Sequence, residues 1–314
     1  MSDCKTYWLH ALTPLHVGVG TGSGFIDLPI MREKITNWPI IPGSAFKGVL
    51  ADAFDTRYEN ENDEAQKNRL SSLRPLAFGF GGDDSANAGS LVFTDARITC
   101  LAVRSYYGTF AYVTTPLVLS RIVQDTQTAS SVFKSLPVPI LKEEQAVVPD
   151  TLSAITVHGA GTVMQLCLGE LNLSAQASAE AKVWSETIAK TMFTDPAWRD
   201  IFVKRFVIVP GETFNFLCDV GCEVNARIKM ERQRKIVQEG HFWYEESLPA
   251  ESILSGLVWC DRLYGNRSTF TADDVMNEIC GSAQVLQVGG KATVGKGRMH
   301  CQFENVHLEE GQHA

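Results

Sequence analysis

One stretch near the amino terminus concentrates residues that could do chemistry. The glycine-rich run GVGTGSGFIDLPIMREK, residues 18–34, leads to a single carboxylate, Asp27. His16 lies just before this loop, and Lys47 lies on the helix predicted beyond it. Such a loop could hold a phosphate or lead to a reactive carboxylate. A lone aspartate in a loop is more often a turn or cap residue, so the residues alone leave both interpretations open.

Neither glycine-rich loop matches a nucleotide-binding motif. In the first loop, the third glycine of the dinucleotide pattern falls on Ser23 or on Phe25. In the second, residues 290–297, Gly297 stands where a phosphate-binding loop needs Ser or Thr to hold magnesium. A glycine-rich backbone can still hold a phosphodiester, and a simple turn is the alternative. The basic residues on this second loop are Lys291, Lys296 and Arg298.

Two further patterns are weaker than they first look. Residues 81–84 read GGDD, as in the metal-binding hairpin of nucleotidyl cyclases, but the polar run SANAGS follows instead of an apolar strand. We therefore expect a solvated loop there. Cys218 and Cys222 lack the second ligand pair that a structural zinc site requires, so we expect buried thiols.

The composition is that of a globular protein with an acidic balance. The chain has 314 residues, of which 45% are hydrophobic and 20% charged, and its formal net charge is -8. This charge argues against binding nucleic acid through bulk electrostatics, but it allows a local basic groove. The eight cysteines form no paired framework, and the amino terminus has no basic region followed by an apolar run. We expect a cytoplasmic chain with reduced thiols and no membrane span.

The pattern of apolar residues predicts a mixed α+β domain. Strands are predicted at 5–12, 90–103, 108–115 and 162–173, with a long hairpin over 222–246 whose turn is basic near 232–235. Helices are predicted after Pro42 with Ser44 as N-cap, after Pro116, within 175–205, and from a Thr271–Asp274 capping box to Gly281. Residues 55–74 are charged and polar, which indicates an exposed insertion.

Four blocks in the same order give this sequence a family resemblance. They are HVGVGTGSGFIDLPIMREKITNWPIIPGSAFKG, TDARITCLAVRSYYGTFAYVTTP, EVNARIKMERQRKIVQEGHFWYEESLPAE and LQVGGKATVGKGRM. Together they cover 99 of the 314 residues, a little under a third of the chain. The sequence resembles the backbone subunit of the Cmr effector complex, the type III-B CRISPR-Cas system, in the RAMP superfamily.

The resemblance implies a single RAMP domain over residues 1–314. Its palm would be ferredoxin-like, similar to an RNA-recognition motif, and built from the amino- and carboxyl-terminal parts of the chain. Insertions are expected at about 55–75 and 125–205, and a protruding β-hairpin thumb at about 223–246. Copies of such a subunit stack into a filament along a guide RNA, and each thumb wedges into the guide-target duplex.

The resemblance also implies cleavage of the target RNA. Asp27 matches the catalytic aspartate of the family, within GFIDLP. The reaction would depend on a divalent metal ion, Mg or Mn, and the 2'-hydroxyl of a displaced nucleotide would attack the adjacent phosphate. Asp27 would accept the hydroxyl proton or hold the metal, and the sequence does not choose between these roles.

Further residues are implied as parts of the site. His16 is a candidate acid or base, Lys47 a charge stabiliser, and Glu245 a group reaching the site from the thumb, with Glu246 a nearly equal match. Trp243 and Tyr244 are candidates for stacking on the exposed edge of the duplex. The basic stripe for guide RNA would comprise Lys47, Arg104, Lys291, Lys296 and Arg298.

The implied partners are guide RNA, single-stranded target RNA, further copies of the chain, other RAMP subunits, a small helical subunit and a large polymerase-like subunit. Three alternatives remain open. The chain could be a structural RNA-binding backbone without cleavage, a repeat-processing endoribonuclease of the same superfamily, or a backbone subunit of the type III-A complex.

Overall fold

The computed structural model describes most of the chain in one mixed α/β fold. The described residues are 4–22, 24–80, 87–129, 131–142, 145–158, 164–231, 237–264 and 270–304. The strands are β1 (Lys5–Ala11), β2 (Ile40–Ile41), β3 (Gly79–Phe80), β4 (Asn87–Ala88), β5 (Val92–Phe93), β6 (Ala96–Arg104), β7 (Phe110–Thr114), β8 (Gln145–Val148), β9 (Thr156–His158), β10 (Met164–Leu168), β11 (Leu171–Ala177), β12 (Phe206–Ile208), β13 (Glu223–Met230), β14 (Val237–Ser247), β15 (Ile253–Trp259), β16 (Gln284–Gln287) and β17 (Arg298–Phe303). The helices are α1 (Gly43–Asn60), α2 (Glu64–Phe78), α3 (Pro116–Asp125), α4 (Ala179–Met192), α5 (Pro196–Arg205), α6 (Gly211–Val220) and α7 (Ala272–Cys280).

The palm is built from the two ends of the chain. Its strands lie in the order β17-β1-β15-β6, and each neighbouring pair is antiparallel. With α1 after β1 and α7 before β17, this is the β-α-β-β-α-β arrangement of a ferredoxin-like fold. The predicted first strand and the predicted ferredoxin-like palm are therefore confirmed.

Both faces of the central strand β1 are covered. Tyr7 stacks on Phe46 of α1 at 4.7 Å between ring centroids, whereas Trp8 packs against Phe133 on the other face at 4.9 Å. Both rings are fully buried. The sheet face that an RNA-recognition motif would leave open is thus closed here by an inserted segment.

The capping residue predicted from the local sequence is correct for α7 and wrong for α1. The Thr271–Asp274 capping box is present at the start of α7, as predicted. The predicted N-cap role of Ser44 is wrong, because α1 already begins at Gly43 and its first N–H donates to Asp95 Oδ1 at 2.8 Å. A residue distant in sequence therefore provides the cap.

Residues 55–74 lie mostly in α1 and α2, and they bury apolar side chains that the polar pattern did not predict. α1 continues to Asn60, and α2 starts after Asp63, whose carboxylate accepts a hydrogen bond from Ala65 N at 3.0 Å. Leu70 and Leu73 are buried beneath the polar outer surface of α2. The charges that suggest an insertion cover the solvent side of a packed helical pair.

The long region between β6 and β15 extends the sheet and ends in the thumb. β6 pairs with β15 through residues 97–100 and with β7 through residues 101–104. From there the sheet continues in the order β7-β12-β8-β11-β10-β9, with α3, α4 and α5 packed around it. The predicted helix after Pro116 and the predicted strand pair near 162–173 are confirmed as α3, β10 and β11.

The predicted thumb hairpin is confirmed as a separate two-stranded sheet of β13 and β14. Its register runs from Glu223 opposite Ser247 to Met230 opposite Val237, with an irregularity after Ile228. The predicted basic turn at 232–235 and the predicted loop at 81–84 lie outside the described residues. No helix within the described ranges combines the length and apolar character needed to cross a bilayer.

Candidate functional site

The glycine-rich loop after β1 is attached to the base of the thumb by backbone pairing. Leu28 N donates to Tyr244 O at 3.1 Å, and Glu246 N donates to Leu28 O at 3.0 Å. On its other side the same segment pairs with residues 17–19, where Met31 N donates to Val17 O at 2.7 Å. Residues 27–31 therefore lie between the first part of the loop and β14.

Asp27 is an exposed carboxylate on this well-anchored segment. Its Oδ2 accepts a hydrogen bond from Tyr244 N at 2.8 Å, and its backbone oxygen accepts one from Gly22 N at 2.8 Å. The first of these is the only hydrogen bond to the carboxylate that involves a described partner. One carboxylate oxygen is thus held by the thumb, and the other is available for chemistry.

His16 joins the loop, the thumb and the carboxyl-terminal loop. Its Nδ1 donates to Glu246 O at 2.7 Å, and its backbone oxygen accepts from Gly290 N at 2.9 Å. The side chain is buried, so its geometry supports a positioning role. Its action as an acid or base stays a prediction.

The carboxyl-terminal glycine-rich loop packs tightly against these residues. Gly289 has φ +74°, and a Cβ there would lie 2.4 Å from His16 O. Gly297 has φ +84°, and a Cβ there would lie 2.1 Å from Val288 O. Because Ser or Thr would clash at position 297, the missing hydroxyl of the phosphate-loop pattern has a steric cause.

Glu246 anchors the loop through its side chain. Its Oε2 accepts from Ile30 N at 2.9 Å, and its Oε1 forms an ion pair with Arg32 at 2.5 Å. Arg32 also donates to Cys218 O at 3.1 Å, which connects the loop to α6. Because both Glu246 oxygens are used and the side chain is buried, this carboxylate has a structural function.

Glu245, the next residue toward the tip, lies among cations on the opposite face of β14. Its carboxylate accepts from Lys291 Nζ at 2.8 Å, Trp243 Nε1 at 2.9 Å and Arg227 Nε at 3.2 Å. Lys296 Nζ lies 3.7 Å from it. Burial alone would raise the pKa of Glu245, but the hydrogen bonds from Lys291 and Trp243 and the nearby lysine charges outweigh burial and lower this pKa to about 2. So weak a base, with both oxygens occupied, is poorly suited to accept a proton, which argues against its predicted catalytic role.

The predicted basic stripe needs one correction at the carboxyl-terminal loop. Lys296 is buried, and its Nζ donates to Ser247 Oγ at 2.6 Å, so its geometry argues against direct contact with RNA. Lys291 pairs with Glu245 but keeps about a third of its side chain exposed. Arg298 is exposed at the start of β17. Lys291 and Arg298 therefore remain candidates for phosphate contacts.

Lys47 and Arg104 lie apart from the thumb base. The Lys47 ammonium donates to Leu91 O at 2.7 Å, and burial lowers its pKa. Its role beside the reacting phosphate stays a prediction. Arg104 is exposed at the end of β6 and remains a candidate for a phosphate contact.

The two predicted aromatic residues face opposite sides of β14. Trp243 donates its indole N–H to Glu245, whereas Tyr244 stacks on Phe25 with 5.0 Å between centroids. Sequence reasoning missed Phe25 and Arg227 as parts of this site. An aromatic residue within a run of glycines is a signal for Phe25, but only the hairpin register places Arg227 beside Glu245.

The predicted metal ion stays a prediction, with Asp27 as its candidate ligand. No group of three or more His, Cys, Asp or Glu side chains arranged to hold an ion occurs among the described residues. Asp27 offers one free carboxylate oxygen at an exposed position. Magnesium is often bound by one or two carboxylates together with phosphate oxygens of a substrate, and Asp27 fits that limited role.

Comparison with known proteins identifies the family to which this chain belongs. The sequence profile described as "RAMP superfamily" matches residues 8–300. The protein "CRISPR system Cmr endoribonuclease Cmr4" of Pyrococcus furiosus is 30% identical over 308 residues, covering 98% of this chain and 97% of that protein.

Solved structures agree with that match. The crystal structure of oligomeric Cmr4 from Pyrococcus furiosus superposes with a TM-score of 0.70 and 25% identity, covering 98% of this chain and 100% of the other. A cryo-EM structure of the type III-B Cmr-beta complex bound to cognate target RNA contains a chain with the same fold, with a TM-score of 0.67 and 18% identity. That match covers 96% of this chain and 97% of the other.

Proposed function

The chain belongs to the RAMP superfamily and, within it, to the Cmr4 family, and from this we propose that it is an endoribonuclease subunit of a type III-B CRISPR effector. It binds guide RNA and cleaves the complementary target strand. One observation carries the catalytic part of the proposal, namely the exposed Asp27 carboxylate fixed at the base of the thumb by Tyr244 N. The name of the Pyrococcus furiosus relative supports the assignment, since it describes that protein as an endoribonuclease.

The reaction we propose is transesterification within the target RNA. The 2'-oxygen of one nucleotide attacks the adjacent phosphorus, and the bond from that phosphorus to the 5'-oxygen of the next nucleotide breaks. The 2'-hydroxyl proton passes to a base, and the leaving 5'-oxygen acquires a proton. Since the nucleophile belongs to the substrate, much of the rate comes from holding the 2'-oxygen in line with the leaving group.

Asp27 is the residue best placed to act on that 2'-hydroxyl. Its free oxygen can accept the proton, and its other oxygen is fixed by the thumb, so the carboxylate does not have to be ordered when RNA binds. In the alternative role, this oxygen and RNA phosphates would instead hold a divalent ion such as Mg or Mn, which would stabilise negative charge on the phosphate.

The remaining predicted functions concern assembly. We propose that copies of the chain stack along the guide RNA, with the thumbs setting a regular spacing of cuts, and that other RAMP subunits, a small helical subunit and a large polymerase-like subunit complete the complex. Lys291, Arg104 and Arg298 are the candidates for contacts with phosphates. A few such contacts per copy are compatible with a net charge of -8, because the acidic surface can face away from the RNA.

The direct test compares wild type with Asp27→Asn in the assembled complex. Asparagine keeps an oxygen that can accept from Tyr244 N, but it cannot take a proton. With complementary end-labelled RNA and Mg or Mn, we expect regularly spaced products from wild type and a loss of about 100-fold or more in the variant. Target binding, measured by gel shift, should be unchanged.

The alternative outcomes separate the competing functions. Equal cleavage by Asp27→Asn and wild type would show that Asp27 has no catalytic role. Binding without cleavage by either protein would favour a structural backbone subunit, and cleavage of free repeat RNA by the isolated chain would favour a repeat-processing enzyme.

A further inference from the structure

We infer that Phe25, Tyr244 and Phe242 form a site that stacks an unpaired base of the target RNA beside Asp27. The inference rests on the proposed function and adds a ligand contact to it. The ligand class is a nucleobase that flanks the phosphate to be cut.

The three rings form a continuous aromatic surface. Phe25 lies against Tyr244 with 5.0 Å between centroids and an angle of 27° between ring planes. Tyr244 meets Phe242 edge to face at 5.1 Å and 88°. The outermost ring, Phe25, is 78% exposed although one of its faces packs on Tyr244. A second flat group can therefore reach its outer face.

This surface is connected directly to the reactive carboxylate. Phe25 lies two residues before Asp27, a separation of at most about 7 Å along the chain. The backbone of Tyr244, whose ring packs on Phe25, donates to Asp27 Oδ2 and accepts from Leu28 N. A base stacked on Phe25 would therefore be held close to the carboxylate by the same residues that fix it.

A nucleobase suits this surface better than a hydrogen-bonding ligand does. Phe25 and Phe242 offer only ring faces and edges, and every base presents a flat face to an aromatic ring. Stacking would hold the nucleotide displaced by the thumb without selecting its identity strongly. We expect a modest preference for purines, since they offer the larger stacking area.

The experiment pairs a protein variant with a change in the RNA. Wild type, Phe25→Ala and Phe25→Tyr are assembled with guide RNA and given targets in which the base on either side of one cut site is intact or abasic. On the intact target, we expect Phe25→Ala to slow single-turnover cleavage at that site about 5- to 150-fold, the loss of one base-aromatic stack. Phe25→Tyr should restore most of the rate.

The abasic target supplies the decisive comparison. Without the base there is no stack to lose, so wild type and Phe25→Ala should cut that site at equal rates. An equal slowing on both targets would show that Phe25 only shapes the loop and would overturn the inference, as would no effect on either target. Phe80→Ala serves as the control, because Phe80 is an exposed aromatic on β3 with 55% of its surface accessible.

A second measurement does not depend on cleavage. 2-Aminopurine placed at the same target position should be quenched on binding to the wild-type complex and remain bright with Phe25→Ala. If the target binds and the fluorophore is quenched but no cutting occurs, the proposed nuclease function fails and the stacking site stands. If cutting occurs without quenching on either flank, the stacking site fails. If Phe25→Ala instead shortens RNA-free oligomers and leaves fluorescence unchanged, the rings contact a second copy of the chain, and the inference is wrong.

Discussion

Two consecutive glutamates on β14, Glu245 and Glu246, lie on opposite faces of the thumb base. Glu246 lies on the face of Tyr244 and meets one cation, Arg32, together with the backbone of the Asp27 loop. Glu245 lies on the face of Trp243 and meets three cations, Arg227, Lys291 and Lys296. The first arrangement is a neutral pair that fixes the loop. The second carries an excess of two positive charges, and Arg227 and Lys291 are partly exposed.

Glu245 and Glu246 are chemically identical side chains, but they have different roles. The Glu246 face sets the position of Asp27 and of the aromatic surface. The Glu245 face holds cations in fixed positions where a phosphate can approach them. Neither carboxylate is free to act as a base, so Asp27 is the reactive acid at this site that the geometry favours.

The largest loss of stability should come from breaking the ion pair between Arg32 and Glu246. Arg32→Met leaves Glu246 buried without its cation and should lower the free energy of unfolding by about 3–5 kcal/mol. Arg227→Met removes one of three cations beside Glu245 and should cost less than about 1 kcal/mol. Urea unfolding of the isolated chain with matched m-values measures both. Equal losses from the two variants would contradict the distinction between the faces.

Lowering the pH should reduce the contribution of the Glu245 carboxylate to the stability of the fold by a predictable amount. The pKa of this carboxylate is about 2 in the folded chain, below its ordinary value of 4.5, so its stabilising contribution is fully present above about pH 4.5. The contribution is lost as the pH falls from about 4.5 to about 2, and it amounts to about 3 kcal/mol. Urea unfolding of wild type and Glu245→Gln at pH 5, 4 and 3 isolates this residue from other carboxylates. The stability difference between the two proteins should shrink steadily, and a constant difference would show that Glu245 does not titrate in this way.

The smallest effects on stability should come from exposed cations. Arg298→Ala should change the free energy of unfolding by less than about 0.5 kcal/mol. If Arg298 contacts a phosphate, the slope of log affinity for RNA against log salt should fall by about 0.7–0.9. Lys296→Met is the buried counterpart and should destabilise the fold. RNA binding measured at several salt concentrations, together with urea unfolding, distinguishes an exposed cation that contacts phosphate from a buried cation that stabilises the fold.

Sequence reasoning succeeded where the signal was local. β1, the thumb hairpin, α3 and the Thr271 capping box each follow from a few neighbouring residues, and the structure contains all of them. Family resemblance added Asp27 and the ferredoxin-like order of the palm. Neither source could decide between Glu245 and Glu246, because that choice depends on what packs against each face of β14.

The wrong predictions arose from long-range contacts. Asp95 displaced Ser44 as the cap of α1. The charged residues of 55–74 cover packed helices because Leu70 and Leu73 find a core that their local pattern does not reveal. Phe25 acquires significance only through its contact with Tyr244.

The position of β1 in the palm has a consequence for how the chain is made. β1 begins at Lys5, yet both of its neighbours, β15 and β17, come from the last fifth or so of the sequence. During synthesis β1 cannot pair with either neighbour until β15 and β17 have left the ribosome. Pairing across such long separations is slow and exposes strand edges to aggregation. Chains that terminate before β17 therefore lack the strand that completes the palm beside β1.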